Sequence, residues 1–224
     1  MGDRLRSSAL AVAQTTYSGT GVGGSAAAAS FAAAIGASTL ETFDARPEGE
    51  LISNWGYVGG GTASLSNGLG VTSSYPYGGG GVSPTRGHGA YPEGLIGGDP
   101  IFTFSAPLSA FGAYFVDVEL RDTLIFPLLG GGTMSYVIPI AGDGGVAFFG
   151  VDFGANKITG LTLNLDFTDA VLIDDVRVAV ATAAPEPGTW ALMIGGFTAG
   201  GRRPAPDRTA SLPCLACRRA FTRP

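Results

Sequence analysis

Cysteine is almost missing from this chain: of 224 residues only Cys214 and Cys217 carry a thiol, both near the C-terminus. A domain built ahead of them uses no disulfide, which is compatible with export without demonstrating it. Cys214-Leu-Ala-Cys217 has the spacing of half a zinc site, but no second pair and no nearby histidine accompany it, so the pair is expected to be incidental. Histidine occurs once, as His88 between Gly87 and Gly89. With one imidazole and no Gly-x-Ser-x-Gly elbow, a Ser-His-Asp triad and a His-rich metal hydrolase are both unsupported, and His88 is expected in a solvent-exposed loop. Charge is scarce too, at 14% of residues, and the 13 Lys and Arg lie mostly at the two ends. With a net charge of −5 and no basic face to neutralise phosphates, nucleic acid is excluded as a partner.

Helical periodicity is scarce as well. Ser25 to Ile35 is alanine-rich and predicts one short helix, with Phe31 packing onto the body of the protein. Just before it, Gly19-Thr-Gly-Val-Gly-Gly24 matches the dinucleotide fingerprint, but no repeated strand–helix units follow, so in a chain with 37 glycines the match is expected by accident. Residues 1–24 are expected to be a flexible lead-in ending a stunted leader, with Arg4 and Arg6 ahead of a short apolar stretch.

What the chain does have is glycine, 14 prolines and a 45% hydrophobic fraction, a composition of short strands joined by many turns around one core. From Thr39 the apolar period is two. Leu40–Asp44 and Leu51–Val58 read as strands; residues 59–98 read as a long loop-rich insertion. Seven more strand candidates follow: Ile101–Ser105, Phe111–Val118, Thr123–Leu129, Thr133–Ile140, Gly145–Phe153, Lys157–Phe167 and Val171–Val180. Such regular spacing predicts an all-β fold, a single sandwich over residues 37–182. The clearest alternation sets Leu161, Leu163, Leu165 and Phe167 against Thr162, Asn164 and Asp166. In the last strand, Asp174 shares parity with Leu172, Val176 and Val178, so it is expected on the core side, where a carboxylate needs a hydrogen bond or a cation.

Binding has more support than catalysis. Trp55, Tyr57, Tyr75, Tyr77 and Tyr91 all fall in the loop-rich half, and aromatic rings offer sugars an apolar platform with a polar edge. Each also has the alternative of packing beneath its own loop. Glu93, Asp99, Asp117, Glu119 and Asp152 are acids from which a secreted carboxylate-dependent hydrolase would have to draw its pair.

Two resemblances add to this. Pro185-Glu-Pro187, then Trp190, an apolar run to Phe197 and the pair Arg202-Arg203 resemble the PEP-CTERM sorting signal of bacterial surface proteins. The resemblance covers residues 183–203, and its apolar run falls short of the roughly 20 residues a spanning helix needs. It implies export to the envelope or surface of a Gram-negative bacterium, transient anchoring in the inner membrane, processing by an exosortase-type enzyme, and a setting of extracellular polysaccharide. Residues 204–224 are expected to be a disordered tail. Ile173-Asp-Asp-Val176, taken with Thr42-Phe-Asp44, resembles jelly-roll carbohydrate-binding modules. That resemblance implies a jelly-roll-like sandwich with first and last strands side by side. It also implies a structural calcium ion held by Asp174 and Asp44. No other cofactor is expected. The combined expectation is a noncatalytic, exported surface or matrix protein, with a glycan-binding module as the alternative.

Overall fold

The structure is a computed structural model that describes residues 13–73, 88–92, 99–166, 169 and 171–181. Its elements in order are β1 (Thr15–Thr20), α1 (Gly21–Ile35), β2 (Thr39–Glu41), β3 (Leu51–Tyr57), β4 (Gly61–Thr72), β5 (Gly89–Pro92), β6 (Ile101–Val116), β7 (Thr123–Pro127), β8 (Thr133–Val137), β9 (Val146–Asp152), β10 (Ile158–Asn164) and β11 (Leu172–Val180). Strands dominate and the chain forms an all-β sandwich, as its composition predicts. The compact unit holding these elements is Met1–Thr182.

The sandwich turns on β6. Its first half pairs with β4 and β10, and its second half with β9 and β11. Thr162 on β10 faces Ile101, while Leu172 on β11 faces Val116. A straight strand would hold those two ends of β6 about 50 Å apart, yet the short segment from Asn164 to Leu172 reaches at most about 30 Å. β6 must therefore bend from one sheet into the other. Its register against β10 shifts between the Thr103↔Gly160 and Leu108↔Ile158 pairs, and within that stretch the Tyr57 hydroxyl holds the backbone by donating to Ala106 O at 2.8 Å and accepting from Ala106 N at 2.9 Å.

Between the layers lies an aromatic core in which Phe126 meets Phe153, Phe111 and Tyr136 at ring-centroid distances of 5.0, 5.6 and 6.0 Å. Leu161 and Leu163 are buried and Leu165 packs against the same core, as the alternation requires. A second cluster lies under α1, where Phe31 is fully buried against Phe148, Ala110 and Ala179. Phe31 fits because the sheet is notched there. Gly112 and Gly150 are cross-strand partners on β6 and β9, and a Cβ on Gly112 would come within 2.5 Å of the Phe31 ring.

Several expectations need correction. The N-terminal lead-in contains an edge strand, since β1 pairs antiparallel with β9 from Thr15↔Asp152 to Thr20↔Ala147. The fingerprint glycines serve the turn from that strand into α1: Gly21 takes φ +52, and a Cβ on Gly19 would strike the backbone of Gly23 at 2.6 Å. Residues 61–72, read as loop, form the long strand β4. The two candidates at 101–105 and 111–118 are halves of one strand. Among the described residues no helix is long and apolar enough to cross a membrane, and residues 183–224, which carry Pro185-Glu186-Pro187 and both cysteines, lie outside them.

Candidate functional site

The first strand after the helix and the last strand meet as expected: β2 pairs antiparallel with β11, with Glu41 opposite Val176 and Thr39 opposite Val178. Beyond β2 the chain turns sharply. Phe43 takes φ +58, Glu41 Oε1 accepts the Phe43 N–H at 3.1 Å, and Arg46 ties the turn shut with ion pairs to Glu41 at 3.1 Å and Glu50 at 2.9 Å. This turn presents Asp44, whose Oδ1 accepts the N–H of His88 at 2.9 Å.

On β11 the alternation slips. The residues facing the main core are Val171, Ile173, Val176 and Val178, so a bulge falls at Asp174 and Asp175, matching the register shift against β6. Asp175 adopts φ +49, a left-handed conformation that Asp tolerates better than most residues. The parity that grouped Asp174 with Val176 and Val178 therefore does not survive: the bulge resets it. Asp174 is fully buried, and its Oδ1 accepts the N–H of Asp175 at 2.7 Å. Asp175 lines a cavity of about 220 Å³ against α1, with Arg177, Tyr114 and Phe148 on its walls. Its Oδ1 is buried without a hydrogen-bond partner. Burial and the nearby Asp44 charge raise its carboxyl above the ordinary value, and Arg177 opposes them.

The two acids named from sequence, Asp44 and Asp174, thus flank a third, Asp175, which sequence parity did not single out. Their carboxylate oxygens do not gather into a group of three close enough to share one cation, so an ion at this place would need backbone oxygens as further ligands. His88 is not a free solvent residue. Its side chain is 26% exposed, with Nε2 3.5 Å from Glu48 Oε2. Glu48 in turn accepts from Ser73 N at 2.6 Å and Thr72 Oγ1 at 3.0 Å. The hydrogen bonds from Ser73, then Thr72 and the His88 charge, hold the Glu48 carboxyl below its ordinary value against a desolvation cost.

The aromatic platform is corrected in part. Trp55 is 4% and Tyr57 6% exposed, so neither offers a ring to a ligand. Both point into the core because β3 alternates inward there, and Trp55 packs edge-on against Phe102 at 5.6 Å and Phe43 at 6.3 Å. Tyr91 is half-buried on β5. Tyr75 and Tyr77 lie outside the described residues, between the paired strand ends Thr72 and Gly89. Of the acids considered for hydrolysis, Asp117 and Glu119 come together with Asp143. Asp99 instead accepts from Asn164 Nδ2 at 2.9 Å, and Asp152 accepts from Gly154 N at 2.9 Å. Glu93 lies outside the described residues.

No protein-family model matches the chain, and no curated protein matches it. Among solved structures, the chain is similar to the family 11 carbohydrate-binding module of the cellulosomal cellulase Lic26A-Cel5E of Clostridium thermocellum. The identity is 13%, the match covers 66% of this chain and 99% of that one, and the TM-score is 0.29. So slight a likeness carries neither a ligand nor a site across.

Proposed function

We propose that this chain is an exported, noncatalytic protein of the bacterial cell surface or extracellular matrix, delivered by the tail from Pro185 to Arg203. The observation that carries the reading is the order Pro185-Glu186-Pro187, Trp190, apolar run, Arg202-Arg203, beginning just past the end of the folded unit at Thr182. Two prolines deny the backbone its donors and favour an extended conformation, a form that a processing enzyme can grip. An exosortase-type enzyme in the inner membrane is the partner this implies. The test is intact mass and cell fraction of the full chain in a host with a matching exosortase and in one without. Loss of mass beyond the Pro185 region in the competent host alone supports the reading; an unprocessed cytoplasmic chain in both overturns it.

Within this reading, a calcium ion ties the turn after β2 to the bulge of β11, held by Asp44 and by Asp174 or its neighbour Asp175, with backbone carbonyls completing its oxygen shell. When bound, it supplies positive charge that offsets their mutual repulsion. Asp44→Asn should then lower the calcium affinity of the full chain, as followed by calorimetry. A second reading, glycan binding, keeps Tyr75, Tyr77 and Tyr91. Their segments join at the Thr72↔Gly89 pair. Saturable polysaccharide binding that weakens in Tyr75→Ala and Tyr77→Ala is its expected result, with unchanged binding counting against it.

A further inference from the structure

Among the described residues β8 is bordered by β7 alone, so its other side is an open sheet edge. The ladder tells which of its groups are free. Ile138 N donates to Asp122 O at 3.0 Å and Leu128 N to Gly132 O at 3.0 Å, which makes Leu124–Tyr136 and Phe126–Met134 the hydrogen-bonded pairs between them. Such pairs alternate with unbonded ones in an antiparallel ladder, so Met134 and Tyr136 spend their N–H and C=O on β7. Thr133, Ser135 and Val137 aim theirs outward. The side chains follow the same parity: Met134 and Tyr136 pack against the core, and Thr133, Ser135 and Val137 are exposed.

An open edge is ordinarily guarded by charge. From Thr123 to Gly142 this one has none, in a chain of net charge −5. Leu129, Val137 and Ile140 add apolar surface beside it, 60, 40 and 58% exposed. The other edges differ. β2 is 3 residues long and ends in the Glu41–Arg46 ion pair, β3 follows Glu48 and Glu50, and β1 runs directly into α1.

We propose that β8 is a self-association edge, through which two copies of this chain join their sheets in a two-fold antiparallel dimer. Laid about an axis at Ser135, the strand is complementary to itself. Thr133 meets Val137 of the second copy, two β-branched side chains, and Met134 meets Tyr136 on the core side. The outward groups of Thr133, Ser135 and Val137 exchange N–H···O bonds across the seam. Charge matches along the same axis. Lys157 sits at the Gly132 end of β8, where its C=O accepts from Leu129 N at 2.8 Å. Beyond the Ile138 end lie the loops at 117–122, 138–145 and 165–171, with six acids, Asp117, Glu119, Asp122, Asp143, Asp166 and Asp169, against Arg121. Antiparallel pairing turns the basic end of each copy toward the acidic end of the other. Pro139 stops the strand, and a two-fold contact uses the edge up, so the product is a closed dimer and not a fibre. With β8 only 5 residues long, the contact is small and the dimer weak, with Kd on the order of 100 μM.

The experiment is sedimentation velocity of the full chain from about 10 μM to about 1 mM, with amide exchange followed by NMR over the same range. The unaltered chain should pass from monomer to dimer. Exchange at Thr133, Ser135 and Val137 should slow as concentration rises, while Met134 and Tyr136 are protected throughout. Ser135→Pro removes an N–H that β7 does not use, so the fold persists and the dimer weakens about tenfold or more. Val137→Lys does the same by placing a charge in the seam, and Leu51→Lys on β3 leaves the dimer unchanged. A chain that stays monomeric to about 1 mM overturns the proposal. So does association that survives both β8 variants, which would assign it to another surface, the tail included. Protection of Thr133, Ser135 and Val137 that does not vary with concentration overturns it equally, giving the edge to a segment of the same chain. If Ser135→Pro does not fold by circular dichroism, Val137→Lys decides.

Discussion

At the β11 bulge acids stand beside bases: Arg177 works against the forces on Asp175, and Arg46 bridges Glu41 and Glu50. Around Asp122 and Asp169 the loops offer six acids and Arg121 alone. The backbone is also used differently. At the bulge Asp174 caps its own neighbour, a local contact. Asp169 instead reaches across to two N–H groups of another loop, and Asp122 to a third. Acids that hold distant backbone together cannot simply be deleted, whereas an acid with a spare oxygen at a bulge can.

That contrast sets the largest expected effect. Asp169→Ala strands the N–H groups of Glu119 and Leu120 and should cost about 3 kcal/mol in urea unfolding of the calcium-free chain. Asp175→Asn, which keeps a residue tolerant of φ +49 and removes only a charge with an orphan oxygen, should change stability by less than about 0.5 kcal/mol. The reverse order would break the comparison.

The next effect concerns pH. Because the folded-state Asp122 carboxyl is raised from 3.8 to about 6, the folded protein holds that proton more tightly than the unfolded chain does. Its contribution is present in full below about 3.8 and is lost as pH rises through about 6. In EDTA, the stability difference between the unaltered chain and Asp122→Asn should therefore shift by about 2 kcal/mol between pH 4 and 7.5, against the unaltered chain as pH rises. A flat difference would show that the pair is not strained at neutral pH.

Smaller effects sharpen the bulge side. Arg46→Ala removes two partly buried ion pairs that shape the turn presenting Asp44, and should cost about 1 kcal/mol, less in high salt. Glu48→Gln weakens a 3.5 Å contact to His88 at a half-exposed carboxylate and should stay below about 0.5 kcal/mol by the same unfolding measurement.

The second-half strands were legible because Leu161, Leu163 and Leu165 alternate with polar residues and each strand is bounded by turn formers. β4 was not, since Gly61-Thr-Ala-Ser-Leu-Ser-Asn-Gly-Leu-Gly pairs its backbone on both sides while offering few apolar side chains to mark the period. β6 was cut in two at Pro107, where proline signals a break, although a clamp from Tyr57 makes it a corner. Trp55 and Tyr57 were placed in a binding surface because aromatic content says nothing of direction. Of the candidate site, Asp44 and Asp174 were legible as acids close to the first and last strands of the sandwich, and Asp175 was hidden by a bulge that periodicity cannot foresee.

By itself the sequence determined the strand-rich class, the alanine-rich helix with Phe31 as its anchor, the absence of a disulfide in the sandwich, and the order of residues in the tail. These depend on local pattern and composition. Only the tertiary structure decided that β6 serves both layers, that Gly112 and Gly150 open a notch for Phe31, and that Asp122 meets Asp169. Each of those is a meeting of residues far apart in the chain, governed by strand register and loop closure, and no local period records it.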